Sequence, residues 1–442
     1  MKKIYNTLAA LALLLCAGSA AAQETTDGPR FYVCEGYDSE GYSLADYPDF
    51  GFSDDGTQLT LGKDVYDIAD IDSITFTKPN YPAVNIVWNG SSATVNIDPR
   101  ISGVTYTTKG GHVAIKSTNT TEELLYVLSG SSSNGSFYLE GDYKLRMHLN
   151  GVSLTNPDSA AVRIRCGKRI EVKLMKDTEN TFVDGIGGSQ DACFLTKGHL
   201  EFKGRGTLNV MGNSKHAICA KEYLQFKSST GTVNILSAVK DGIHCGKGAN
   251  AATEQDYDPS NNYFIMNGGT VNITKCGADC VDADDFGSMF INGGTLTMNV
   301  SQTDGNGIAC DSVFTMTGGE IQCNIGGVVC NGIRFYYRGD FKGGVVNMNV
   351  TGNGSKGIRA KRSTKATDTV LKGGYANFDG TNVIMTVDGG TYTQDSSNCY
   401  GIYVEREMTQ SAGDIHITVT NAEADAIFAR SDTRTGGTRT ID

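Results

Sequence analysis

The chain has 442 residues, 20% of them charged, with 55 glycines against 7 prolines and a formal net charge of −11. That acidic balance argues against nucleic acid and anionic membrane surfaces as partners, but not against an acidic ligand bridged by cations. Abundant glycine and β-branched residues, with almost no helical periodicity, point to an all-β chain with many turns.

The first residues read as a targeting segment. Lys2 and Lys3 precede an apolar run, Leu8 to Leu15, that is too short to span a bilayer, and Ala20-Ala21-Ala22 before Gln23 supplies a small-residue cleavage site. Residues 1–22 are therefore expected to be a signal peptide. No later run is long enough to cross a membrane, so the expected destination is secreted or cell-surface, with the periplasm as a further option. Residues 23–80 form a small N-terminal β-module and linker. They are rich in Tyr and Asp, carry the alternating segment Asp70 to Phe76, and end at Pro79 and Pro82. Of the 12 cysteines, one lies in the leader and an odd number remain. Most are expected to be small buried hydrophobes, with Cys276 and Cys280 able to pair.

Residues 81–442 are organised by a repeat. Val84 to Thr155 holds alternating strands that cap the array. A phrase of small residue, aliphatic, any residue, small or apolar then recurs, as in Ala217-Ile218-Cys219-Ala220, Gly307-Ile308-Ala309-Cys310, Gly332-Ile333-Arg334-Phe335 and Gly357-Ile358-Arg359-Ala360. Its anchors fall at 162, 193, 218, 243, 281, 308, 333, 358, 402 and 427, and five of the nine steps are 25 residues. Insertions at Gly246 to Asn262 and Lys361 to Gly390 account for the longest steps. A second phrase, Thr232-Val233-Asn234-Ile235 and its kin, keeps the same register and often follows Gly-Gly. A third apolar segment lies between them, as at Tyr223-Leu224-Gln225-Phe226. Three short strands per repeat, each alternating with period two, cannot bury an apolar face alone but can do so by stacking. The expectation is a right-handed parallel β-helix with three strands and about 25 residues per coil.

Alternation assigns faces. Cys245, Cys310 and Cys323 point inward. The residue after each anchor points outward, giving the file Arg163, Phe194, Cys219, His244, Asp282, Ala309, Arg334, Arg359, Tyr403 and Phe428. Arginine grips carboxylates in a bidentate manner, and aromatic faces suit sugar rings. Arg163, His244, Arg334, Arg359, Tyr403 and Phe428 are therefore the candidate carbohydrate contacts for an extended, uronate-bearing chain. Two residues before the anchors, Asp191, Asp241, Asp279, Asn306, Asn331 and Asp425 form a turn column. Stacked carboxylates repel unless a cation bridges them, and hard oxygen donors favour calcium. Asp241, Asp279, Asp282, Asp284, Asp285 and Asp311 are the candidate metal ligands, with Glu254, Asp256 and Asp258 of the insertion able to fold over the same edge. Turn preference alone would also place single Asp and Asn residues there. No nucleophile elbow, zincin motif, P-loop or spaced-cysteine zinc site is present, so no catalytic residue is assigned.

The ordered motifs Leu149-Asn150-Gly151-Val152-Ser153-Leu154-Thr155-Asn156, Thr178 to Gly185, Gly204 to Val210, Lys215-His216-Ala217-Ile218 and Asp241-Gly242-Ile243-His244 resemble a bacterial carbohydrate-binding β-helix family. The founding member of that family binds polygalacturonate and calcium. The resemblance runs from about Val84 to Arg430 and implies a pectate-lyase-like fold that binds without demonstrated cleavage. It also implies calcium positions at Asp241, Asp279 and the acidic turn that follows. Asn306, Asn331, Lys356 and Tyr400 depart from the family's Asp before Gly-Ile, which puts the number of calcium sites in question. The expected function is secreted, calcium-dependent, non-catalytic binding of acidic polysaccharide of the polygalacturonate or pectin type. The alternatives are a uronan lyase acting by calcium-assisted β-elimination, with Arg334 or Arg359 as base, and a surface adhesin or structural spacer.

Overall fold

The computed structural model describes residues 28–442 apart from 36–37, 48, 247–261, 284–286 and 364–371. The expected signal peptide, the acidic residues Glu254, Asp256 and Asp258, and the candidate ligands Asp284 and Asp285 lie outside the described residues. The chain divides into two compact units, Met1–Tyr81 and Pro82–Asp442.

The first unit holds two small antiparallel sheets. Arg30–Glu35 pairs with both Asp38–Ser43 and Ser73–Thr75, while Gln58–Leu61 pairs with Gly51–Phe52 and Asp64–Asp67. Phe31, Val33, Tyr42, Leu59, Leu61 and Tyr66 form its core. The Tyr42 hydroxyl donates to Asp64 Oδ2 at 2.8 Å, which satisfies two buried polar groups at once.

The second unit is all-β and solenoid-like. It opens with hairpins: Ala83–Asn89 pairs antiparallel with Ser92–Ile97, and Val104–Lys109 with Gly111–Ser117. Trp88 anchors this end, its indole N–H donating to the Gly111 carbonyl at 2.7 Å. Parallel pairing then takes over; through the middle of the unit each strand bonds to the strand three elements further on, and toward either end to the strand two further on. One file runs Ile218–Ile243–Val281–Ile308–Ile333–Ile358–Ile402–Ile427. A second runs Leu208–Val233–Val271–Leu296–Ile321–Val346–Val383–Ile415. Both files point inward, and one continuous core cluster extends from Val84 to Ala426. Cys245, Cys310 and Cys323 are buried in that cluster, as alternation requires.

Two glycine positions show why the repeat has its particular spelling. The Gly that precedes five of these anchors sits where backbones of adjacent coils nearly touch: a Cβ on Gly332 would lie 2.6 Å from the Gly357 carbonyl oxygen and 2.7 Å from Met348 Sδ. The second Gly of Gly343-Gly344 adopts φ +79°, a left-handed turn conformation that side chains disfavour.

One expectation is corrected. Phe194, not Cys193, carries the inward anchor of its coil, pairing with Val162 on one side and Ile218 on the other. The outward residue there is Leu195 rather than Phe194, and Ala192 rather than Asp191 holds the turn column opposite His216. The connection between Asp184 and Ala192 has no repeat of its own to count from, so burial of the larger apolar ring decides the register. Cys193 is nonetheless fully buried.

Ile333→Ala should lower unfolding stability by about 2–5 kcal/mol, because no neighbouring coil can close the gap without breaking register. Gly332→Ala should also destabilise despite adding apolar surface. Urea unfolding of both variants checks this, and a neutral Gly332→Ala would be inconsistent with the close approach of the backbones.

Candidate functional site

The outward face of the anchor sheet is built by register. Its file reads Tyr138, Arg163, Leu195, Cys219, His244, Asp282, Ala309, Arg334, Arg359, Tyr403 and Phe428. Beside it the turn column reads Asn306, Asn331, Lys356, Tyr400 and Asp425. Equivalent residues of adjacent coils are therefore about 4.8 Å apart. The face is not uniform along its length, and three stretches differ in chemistry.

At the N-terminal stretch, Leu195 and Cys219 close over Ala192 in a small apolar cluster. Arg163 stands before it, partly exposed, with its guanidinium 5.8 Å from the Tyr138 ring centroid. Asp191 leaves the turn column and instead pairs with Lys215 at 2.8 Å and Lys221 at 2.7 Å.

The next stretch gathers buried imidazoles and carboxylates from three coils. Asp241 Oδ2 lies 3.0 Å from His216 Nδ1 and 3.2 Å from His244 Nδ1, and His244 Nδ1 lies 3.1 Å from Asp282 Oδ2. The two rings stack with centroids 4.4 Å apart. Asp241 Oδ1 accepts the Asp279 N–H at 3.0 Å. Asp279 Oδ1 in turn accepts from both the backbone N–H and side-chain amide of Asn306, at 2.8 and 2.7 Å. Asn331 continues the ladder by donating to Asn306 Oδ1 at 2.8 Å. Burial pushes the Asp279 carboxyl up to about 6, and the neighbouring Asp241 charge adds to the effect. Burial also favours ionised loss at Asp241, but hydrogen bonds from His216 and His244 outweigh it and hold that carboxyl below its usual range. The Asp241, Asp279 and Asp282 carboxylates come within 4.8 Å of one another, as do His216, Asp241 and His244. Asp311 lies one coil further, with its N–H directed at the Ala283 carbonyl.

The C-terminal stretch is cationic and aromatic. Arg334, Arg359 and Tyr403 are partly exposed, and Phe428 is exposed. The Tyr403 and Phe428 rings stack at 4.9 Å and 17°. The Arg359 guanidinium sits 5.9 Å from the Tyr403 centroid, and Arg334 and Lys361 sit 5.1 and 5.3 Å from Tyr336. Arg359 also approaches Glu405 at 3.8 Å. The buried Nε atoms of Arg334, Arg359 and Arg362 have no hydrogen-bond partner among the described residues. Lys356 replaces Asp in the turn column, where its ammonium donates to the Gly354 carbonyl at 2.6 Å. Burial lowers its pKa to about 8, helped by repulsion from Arg359. Burial lowers Lys361 as well, with Arg359 and Arg334 adding to it. Positive charge on this stretch thus exceeds the negative charge available to neutralise it.

A family model described as carbohydrate-binding domain-containing protein matches residues 109–442. The chain belongs to this family. It is similar to a carbohydrate-binding domain-containing protein of Acetivibrio thermocellus, with 22% identity over 228 residues that cover 47% of this chain and 78% of the relative. A solved structure titled as a polysaccharide lyase-like protein from C. thermocellum, gadolinium derivative, aligns with a TM-score of 0.40 and 15% identity. That alignment covers 78% of this chain and 100% of the other. Carbohydrate binding is accordingly the general activity of this chain's family.

The expected contacts thus fall into two groups. Arg334, Arg359, Tyr403 and Phe428 come together on one open stretch, and Arg163 stands apart. His244 is 6% exposed and engaged with Asp241 and Asp282, which turns it toward the carboxylates rather than toward a passing polymer. Sequence reasoning passed over Tyr336, Lys356 and Lys361. The departure of Lys356 from the Asp-Gly-Ile spelling was the available signal for the reversal of charge.

Lys356 also sets a pH dependence. The unfolded chain keeps this proton up to about 10.5, whereas the folded chain releases it near 8. Between those values the unfolded state binds more protons, so stability contributed by this group rises with pH there. Lys356→Met should remove that rise and stabilise the fold at neutral pH by up to about 3 kcal/mol. Thermal melts of both proteins at neutral and alkaline pH check the sign.

Proposed function

We propose that the second unit winds as a right-handed, three-faced parallel β-helix whose outward anchor face binds an extended anionic polysaccharide of the polygalacturonate class without cleaving it. The observation that carries this reading is the in-register file Arg334–Arg359–Tyr403–Phe428, flanked by Lys356 and Lys361. The partly exposed guanidinium groups of Arg334 and Arg359 offer charge-assisted donors to carboxylates repeated along a polymer, and the Tyr403–Phe428 pair offers an apolar surface beside them. A neutral glycan would leave the surplus positive charge uncompensated, which favours an acidic one.

Calcium joins this reading at the acidic stretch. The carboxylates of Asp241, Asp279 and Asp282 are hard oxygen donors within 4.8 Å of one another. The Asp241 charge beside Asp279 is one that a bound cation would offset. Calcium here would bind carboxylates of the protein and of the polymer together. The N-terminal leader supports export, so the polymer would be met outside the cytoplasm.

Retention on immobilised polygalacturonate tests the proposal. The wild-type protein should bind in calcium and lose most affinity in chelator, with no unsaturated sugar product. Arg334→Ala and Arg359→Ala should each weaken binding by about tenfold, the size of one charge-assisted hydrogen bond. Equal retention on neutral glucans, or indifference to both substitutions, would sink the acidic-polymer reading. Accumulation of unsaturated uronate ends would replace binding by β-elimination.

A further inference from the structure

The imidazole–carboxylate cluster supports a second cation of different chemistry. We propose that His216, Asp241 and His244 bind a borderline divalent transition-metal ion of the zinc class, with Asp282 or a ligand carboxylate completing the fourth position.

Three features point this way. First, the donor set is mixed. Two imidazole nitrogens and a carboxylate oxygen suit zinc-class ions, whereas calcium takes six to eight oxygens and has little affinity for imidazole. Second, the spacing fits. With metal–ligand bonds of about 2.0–2.1 Å, tetrahedral ligand atoms lie roughly 3.3 Å apart. The separations are 3.0 Å for His216 Nδ1 to Asp241 Oδ2 and 3.2 Å for His244 Nδ1 to the same oxygen. All three ligand atoms fall within 4.8 Å of one another.

Third, several contacts converge on single nitrogen atoms. The His244 Nδ1 faces two carboxylate oxygens, at 3.2 Å from Asp241 and 3.1 Å from Asp282, and carries at most one hydrogen. The His216 Nδ1 faces the Asp241 carboxylate at 3.0 Å and the Asp241 backbone N–H at 3.4 Å, one acceptor and one donor on the same nitrogen. A single divalent ion among these atoms would take one lone pair each from His216 Nδ1, His244 Nδ1 and Asp241 Oδ2 without needing a proton between them. It would also offset the cost of keeping ionisable side chains that are 3%, 4% and 6% exposed away from water.

The scaffold is already arranged for this task. Two of the ligands stand on strands of stacked coils, His216 on His216–Ala220 and His244 on Ile243–Cys245, which pair in register, and Asp241 stands in the turn just before the second of these. Asp241 Oδ1 is held by the Asp279 N–H at 3.0 Å, which turns Oδ2 toward the two rings. The same carboxylate thus presents Oδ2 to the imidazole side and Oδ1 to the Asp279 side, and a zinc-class ion would take Oδ2.

Cobalt(II) and zinc report on this site directly. Mature protein is stripped with chelator, dialysed and titrated with each ion by calorimetry, and cobalt is followed by its visible ligand-field absorption. The expected result is one tight equivalent, a four-coordinate cobalt spectrum, displacement of cobalt by zinc, and no displacement by a large excess of calcium. His216→Asn and His244→Asn should each weaken binding by at least about tenfold while far-ultraviolet circular dichroism stays unchanged. If either variant unfolds, diethyl pyrocarbonate labelling of the wild-type protein with and without zinc replaces it, and zinc should protect both histidines. Absence of a stoichiometric equivalent, displacement by calcium, or unaltered affinity in the His variants would overturn the proposal. Polygalacturonate retention is measured on the same samples. Its calcium dependence would survive loss of the zinc-class ion, so the two readings fail separately.

Discussion

Parallel, in-register stacking of equivalent residues is the constraint on which everything else in the second unit depends. A strand of this unit has no partner within its own repeat. It gains hydrogen bonds and buries its apolar face only when the next coil presents the same residue class at the same height. The Ile308–Ile333–Ile358 file and the Ile321–Val346–Val383 file are the direct result. The glycines before Ile243, Ile308, Ile333, Ile358 and Ile402 exist for the same reason, because at those coils a Cβ would meet the backbone of the next coil.

Stacking that forces like onto like inside also does so outside, and there the consequence is chemical. A side chain repeated at coil spacing creates a column of one charge, one ring type or one amide. Amide columns are self-satisfying: Asn272 donates to Asn234, and Asn234 to Asn209, at 2.9 and 2.8 Å. Charged columns are not, and the chain resolves them in different ways. Glu171 and Glu201 on another face are neutralised by Lys227, at 2.6 and 2.8 Å. On the anchor face the carboxylates of Asp241 and Asp282 meet imidazoles, whereas Arg334, Arg359, Lys356 and Lys361 meet one another with little countercharge. A network that is balanced holds the fold; a column left unbalanced is where an external ion or polymer gains most.

How far this was legible in the sequence follows from the same physics. Files of Ile and Gly-Ile phrases were readable because period-two alternation and a fixed coil length are local properties, and eight of the anchor positions share one file from Ile218 onward. Register failed at Cys193 and Phe194, where a connection of irregular length interrupts the count and tertiary burial of a ring overrides spacing. Exposure was less legible than direction. His244 and Cys219 do point away from the core, yet both are buried, because neighbouring side chains of the same face close over them. Alternation tells which side of a strand a residue occupies; only the neighbouring columns tell whether water reaches it.

The change of sign along the face has a further consequence for recognition. A uniform cationic stripe would bind any polyanion in any register, with affinity set mainly by charge density. Here the cationic and aromatic stretch from Arg334 to Phe428 is succeeded, through the neutral Ala309, by the carboxylates of Asp282 and Asp241. A polyanion that extends from the first stretch over the second meets repulsion unless cations occupy the carboxylates. Metal occupancy would therefore govern how many sugar units engage rather than whether the first ones do. On the proposed reading, position along the solenoid, set by nothing more than the order of coils, would separate an attractive docking stretch from a stretch that admits the polymer only when divalent ions are present.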